Sequence, residues 1–190
     1  EEFARALCGS ALKVGQLLKP FYRTRFYRAL ASSKDGIELN FITFNYTKVI
    51  NVILSSGEGG GSVEVTDNNA FQGKALNIKF SLGRVLHAHG WLDEGLLLGV
   101  DHLGQIKNEK VREHCRRSLT LVKDDVDQYG GDAFRDAAKE LIKQSQIIIA
   151  FGLSFGETDS SWWQLLYDHL FKNGGDRQLV SCVYQEGKQI

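Results

Sequence analysis

Three short segments hold most of the residues able to do chemistry: Phe44-Asn45-Tyr46-Thr47, His87-Ala88-His89-Gly90, and the stretch from Gln146 to Trp163, QIIIAFGLSFGETDSSWW. The last is the most informative. Ile147 to Phe151 form a continuous apolar run, the pattern of a parallel strand buried on both faces. Gly152 and Gly156 punctuate it. Thr158, Asp159, Ser160 and Ser161 are then candidate N-caps for a helix carrying Trp162, Trp163, Leu165, Leu166 and Leu170. Ligands of open α/β sheets gather at such carboxyl ends of strands. A plainer reading also fits, in which the glycines only turn the chain and the hydroxyls only cap. The histidine pair allows other chemistry. On a strand His87 and His89 would share a face and could hold a metal with Asp101, His102 or His114. A zinc site needs three or four convergent ligands and the spacing fixes two, so no metal is expected and His87 is read as a structural histidine.

The elements that would position these segments read as α/β. Glu38 to Asn45 (ELNFITFN) has the β-branched and aromatic content of a strand, and Thr47 can cap a helix running to Leu54. Ser55 to Ser62 (SSGEGGGS) is flexible loop by composition. Strands are expected at Ala75–Phe80, Val85–His89, Leu96–Val100 and Gln178–Tyr184, and a partly helical stretch at Lys107–Lys123. Asp132 to Gln144 reads as a helix with Phe134, Ala137, Ala138, Leu141 and Ile142 on one face. Residues 1–35 form a helical covering segment, with Leu7, Ala11, Val14, Leu18, Tyr22, Phe26 and Leu30 as its inward positions. Alternating strands and helices imply one α/β domain over 1–190, built on a parallel sheet with right-handed crossovers.

Composition sets the limits. The 190 residues are 43% hydrophobic and 24% charged, enough for one real core. Lys+Arg and Asp+Glu balance at 23 each, so no global field draws nucleic acid or an anionic membrane. No apolar run approaches the roughly 20 residues of a membrane span, and no signal peptide is visible. Cys8, Cys115 and Cys182 are isolated and make neither a metal knuckle nor a disulfide framework, which suits a reducing cytoplasm. There is no Met, and Pro20 is the single proline, against a usual share of about 5%. These residues are therefore expected to be a fragment, or to lack methionine-bearing loops.

The motifs taken together resemble the phage abortive-infection family AbiH, with FNYT at 44–47, HAHG at 87–90, LGVD at 98–101 and GLSFGETDSSWW at 152–163. That family is similar, more distantly, to sirtuin-like NAD-consuming domains. The resemblance implies a Rossmann-like, sirtuin-like parallel sheet flanked by helices and a cytoplasmic defence role. It also implies a pocket for NAD or a related nucleotide, possession of an NAD glycohydrolase activity, and a phage-derived trigger, a defence partner or a second copy as protein partner. By that resemblance His89 is the general base and Asn45 holds the nicotinamide ribose or orients a water. Gly152 and Ser154 approach the adenosine side, Asp159 takes ribose hydroxyls, and Thr47 and Gly90 complete the cofactor-binding set. The chain departs from sirtuins in lacking their amino-terminal glycine-rich phosphate loop and four-cysteine zinc site. A non-catalytic nucleotide-sensing module and a metal-dependent hydrolase remain alternatives.

Several features have simpler accounts. Glu157 and Asp159 would repel a phosphate, and helix capping explains both as well as ribose binding does. Lys19 to Arg28 (KPFYRTRFYR) interleaves bases with aromatics as nucleic-acid contacts do, but helical spacing with Tyr22 and Phe26 inward explains it equally. Lys107–Arg117 reads as a solvated basic face and Cys115 as inert. Trp162 and Trp163 read as core and pocket wall.

Overall fold

The computed structural model describes residues 18–33, 36–55, 59–66, 75–90, 99–100, 102–118, 122, 133–153, 155–172 and 177–182. Residues 1–17 of the expected covering segment, Leu96 to Leu98, Asp101, Ser154 and the Phe134 side chain lie outside them. The chain divides into two compact units, residues 1–43 with 47–86, and residues 44–46 with 87–190.

In the first unit, α1 (Pro20–Ala31) opens on Pro20, where a missing N–H costs nothing. Its buried face is Phe26, Tyr27 and Leu30, whereas Tyr22 is 57% exposed. The expected inward position of Tyr22 is therefore wrong. At 100° per residue, Tyr22 lies about 90° from the centre of a face built on residues 26, 27 and 30. Strand β1 (Ile37–Thr43) and helix α2 (Val49–Ser55) fall where the sequence puts them. The glycine-rich segment does not stay loop. Gly60 to Ser62 begin strand β2 (Gly60–Thr66), which pairs antiparallel with β3 (Ala75–His87) from Gly60 opposite Ser81 to Thr66 opposite Ala75. Glycine composition hides this strand, yet glycine is what the pairing needs, since a Cβ on Gly60 would stand 2.6 Å from the Phe80 carbonyl oxygen. The three strands lie in the order β1-β3-β2, with Val65, Ile78 and Phe80 buried.

In the second unit, α3 (Glu109–Ser118) and α4 (Ala133–Gln144) precede β4 (Ile147–Phe151). A 3-10 turn, Glu157–Asp159, leads into α5 (Ser160–Tyr167), which runs on through a π turn (Asp168–Lys172) towards β5 (Gln178–Cys182). Strands β4 and β5 are parallel, Ile147 opposite Gln178 through Phe151 opposite Cys182, as a strand-helix-strand unit requires. Ala138, Leu141 and Ile142 of α4, Ala150, Val180, Trp162 and Leu166 are buried. In the π turn, Lys172 at 2.9 Å holds the Asp168 carboxyl below the usual carboxylate range, with Gln164 as a second donor.

The class is mixed α/β, but the expected single parallel sheet is replaced by two small sheets among the described residues. The connection between β2 and β3 is too short to carry a crossover helix, and short connections leave neighbouring strands antiparallel. Strand β4 is correspondingly not a doubly covered central strand. It pairs only with β5 among the described residues, Ile147, Ile148 and Ile149 are half-buried, and Phe151 is 56% exposed.

Two predictions follow from this packing. Gly60→Ala should lower unfolding free energy in urea by about 1–3 kcal/mol, the range of overpacking against a backbone atom, while Gly59→Ala, which meets nothing within 4 Å, should not. Burial pushes the Cys182 thiol up, so thiolate forms late. Peptide-resolved alkylation should label Cys182 more slowly than glutathione at pH 8, accelerate as pH rises further, and leave buried Cys115 the slower of the two.

Candidate functional site

The second unit takes in Phe44–Tyr46, which follow β1 in the chain, together with everything from His87 onward, so three separated motifs meet within it. Strand β3 ends at His87. Ala88 and His89 turn, the Gly90 N–H reaches the His87 carbonyl at 3.4 Å, and Gly90 itself sits at φ +66°, a conformation open to glycine. Strand alternation therefore stops before His89, and the two histidines do not share a face as strand neighbours. His87 is fully buried and its Nδ1 lies 3.1 Å from the Asn45 carbonyl oxygen, the structural role read from the sequence.

His89 does different work. Its Nε2 lies 2.9 Å from Asp159 Oδ1, with His89 3% and Asp159 22% exposed. The N–H donates and the carboxylate accepts. Asp159 occupies the N-cap position of α5 but makes no side-chain capping bond, so its carboxylate goes to His89 rather than to the helix end. The pair is walled by rings. Phe44 meets His89 edge-on at 5.3 Å, Trp162 edge-on at 5.5 Å, and stacks on Trp163 at 5.6 Å and 29°. Tyr46 lies 6.0 Å from the His89 ring. Trp163 is fixed by its Nε1–H donating to the Gly156 carbonyl at 2.8 Å, and Phe155 leans on it at 4.7 Å. Trp162 is buried, the core role expected of it, and Trp163 is half-buried.

The remaining candidates are placed less centrally. The Asn45 side chain is exposed; its backbone carbonyl holds His87. Gly152 is exposed at φ +63° with nothing within 4 Å of where a Cβ would be, leaving backbone open to approach. Thr47 is exposed and counts with the first unit, and Ser154 lies outside the described residues. No group of three or more His, Cys, Asp or Glu side chains placed to hold a metal occurs among the described residues.

A model of the family described as bacteriophage abortive infection AbiH matches residues 13–175. The chain belongs to the AbiH family. Membership gives it a role in abortive infection, the response of a bacterium to phage. No curated protein and no solved structure matches it. No helix among the described residues of this AbiH protein is long and apolar enough to cross a membrane.

Sequence reasoning missed Arg135. This guanidinium is 1% exposed, donates to Ser161 Oγ at 3.1 Å, and lies 5.7 Å from the centre of the Trp162 ring. The available signal was its register, because Arg135, Ala138 and Ile142 stand at i, i+3 and i+7 on the buried stripe of α4. The guanidinium so placed supports the tryptophan helix from behind.

Phe44→Ala should remove the ring common to the three motifs. We expect a loss of about 2–4 kcal/mol in unfolding free energy, the range for truncating a large aromatic side chain, together with collapse of the near-ultraviolet circular dichroism of the paired tryptophans.

Proposed function

We propose that this AbiH protein binds NAD or a related nucleotide in a sirtuin-like, Rossmann-type pocket beside the His89–Asp159 pair and hydrolyses its nicotinamide ribosyl bond. The single observation carrying the reading is that pair, 2.9 Å long, largely withdrawn from water and backed by Phe44 and Tyr46. The donor set fits a nucleoside. A carboxylate is an acceptor suited to sugar hydroxyls, and Gly152 leaves backbone open for close approach. The repulsion that an acidic turn would offer a dinucleotide is also reduced, because Asp159 turns its charge on His89.

His89 is buried and Asp159 is partly exposed, so Asp159 is the member that meets ribose hydroxyls or the attacking water, while His89 orients the carboxylate and shares the proton. Water adds to the anomeric carbon, the bond to nicotinamide breaks with the electron pair leaving on its nitrogen, and the water proton passes to the Asp159–His89 pair. Asn45, exposed and next to Tyr46 in the chain, orients that water or the ribose, and Gly90 and Ser154 are assigned to the cofactor side. A site that binds nucleotide as a signal without turning it over uses the same residues.

Incubation of the full-length protein with NAD, following nicotinamide release during phage challenge, tests the assignment. His89→Ala and Asp159→Asn should each cut release by about a hundredfold or more, the usual worth of acid-base groups. Release by His89→Ala at the wild-type rate sinks the catalytic role, and tight NAD binding without release leaves the sensing reading in its place.

A further inference from the structure

We infer that Phe155 is a built stacking platform for the planar base of the nucleotide, an inference that rests on the nucleotide reading above and deepens it. Phe155 has φ +49°, the one non-glycine residue at positive φ among those described. A side chain bearing Cβ is strained there, and the turn already contains Gly152 and Gly156, so a residue free of that strain was available nearby. Nor does burial repay the strain, since the ring remains 39% exposed. Two costs at one position, conformational and hydrophobic, mark a residue kept for its ring.

The mounting of the ring agrees. Its exposed part is backed by Trp163 at 4.7 Å, and Trp163 is in turn locked by its bond to the Gly156 carbonyl and by stacking on Phe44. An aromatic so supported loses little freedom when a flat ring lies on it. The same turn runs on to Asp159, whose partly exposed carboxylate suits ribose hydroxyls, so base and sugar find partners on one short segment. Every base has a π face, so such a platform takes purine or pyridine rings without reading their edges.

The test uses the full chain and two probes, AMP and ribose 5-phosphate, titrated by calorimetry. Phe155→Ala and Phe155→Gly should lose about tenfold or more in AMP affinity, keep wild-type affinity for ribose 5-phosphate, and, for the glycine variant, melt no lower than wild type. Phe155→Trp should retain AMP binding. AMP affinity unchanged in Phe155→Ala, or an equal loss for both probes, overturns the platform while nucleotide binding stands. Wild-type protein that binds neither probe overturns both.

Discussion

The ring of Phe44 is the constraint on which the site depends. It is half-buried, and within 5.6 Å it meets a histidine from one motif and two tryptophans from another. Each aromatic pair contributes about 0.5–1.5 kcal/mol beyond the area it buries, but position matters more here than energy. A hydrogen bond from a buried imidazole N–H to a carboxylate holds only when its geometry is good and water is kept from competing for it, because a buried N–H left unpaired is costly. Phe44 supplies both conditions for His89 and Asp159. It fixes the imidazole by edge-on contact and fixes the start of α5, which carries Asp159, through the two indoles. Arg135 reinforces the arrangement at Trp162, where a cation over the ring adds a contact that a hydrocarbon could not.

The local elements were legible because their signals are local. Apolar periodicity located α4, β-branched content located β1 and β4, and the strand-turn-helix order around Gly152 appeared as read. What escaped depends on partners distant in sequence. Tyr22 is as hydrophobic as Tyr27, and only the direction of packing decides which is buried. Gly60 and Gly61 look like linker until a neighbouring strand approaches too closely for a side chain. Asp159 fits a helix cap by type and place, yet a buried imidazole outcompetes the helix N-terminus for its carboxylate. A backbone N–H at a helix end can turn to water instead, whereas a buried imidazole N–H cannot, so the stronger demand takes the acid.

The convergence of the three motifs was legible only in outline. Their order along the chain was compatible with one site, and the rings of Phe44, Trp162 and Trp163 join them. The exposure of the paired residues was not legible. His89, the chemically conspicuous residue, is buried, and Asp159 is partly exposed. Which member of a pair faces water is set by the turn at Ala88–His89 and the φ of Gly90, neither of which leaves a periodic trace.

The place of Phe44 in the chain has a consequence for biosynthesis. The ring emerges from the ribosome more than a hundred residues before Trp162 and Trp163, and at translation speeds of 5–20 residues per second that interval lasts on the order of 10 s. Throughout it, a large apolar side chain that belongs to the second unit follows β1 with neither of its tryptophan partners yet made. Until the tryptophan helix arrives this side chain lacks both indoles, and any truncated product ending before α5 lacks them permanently.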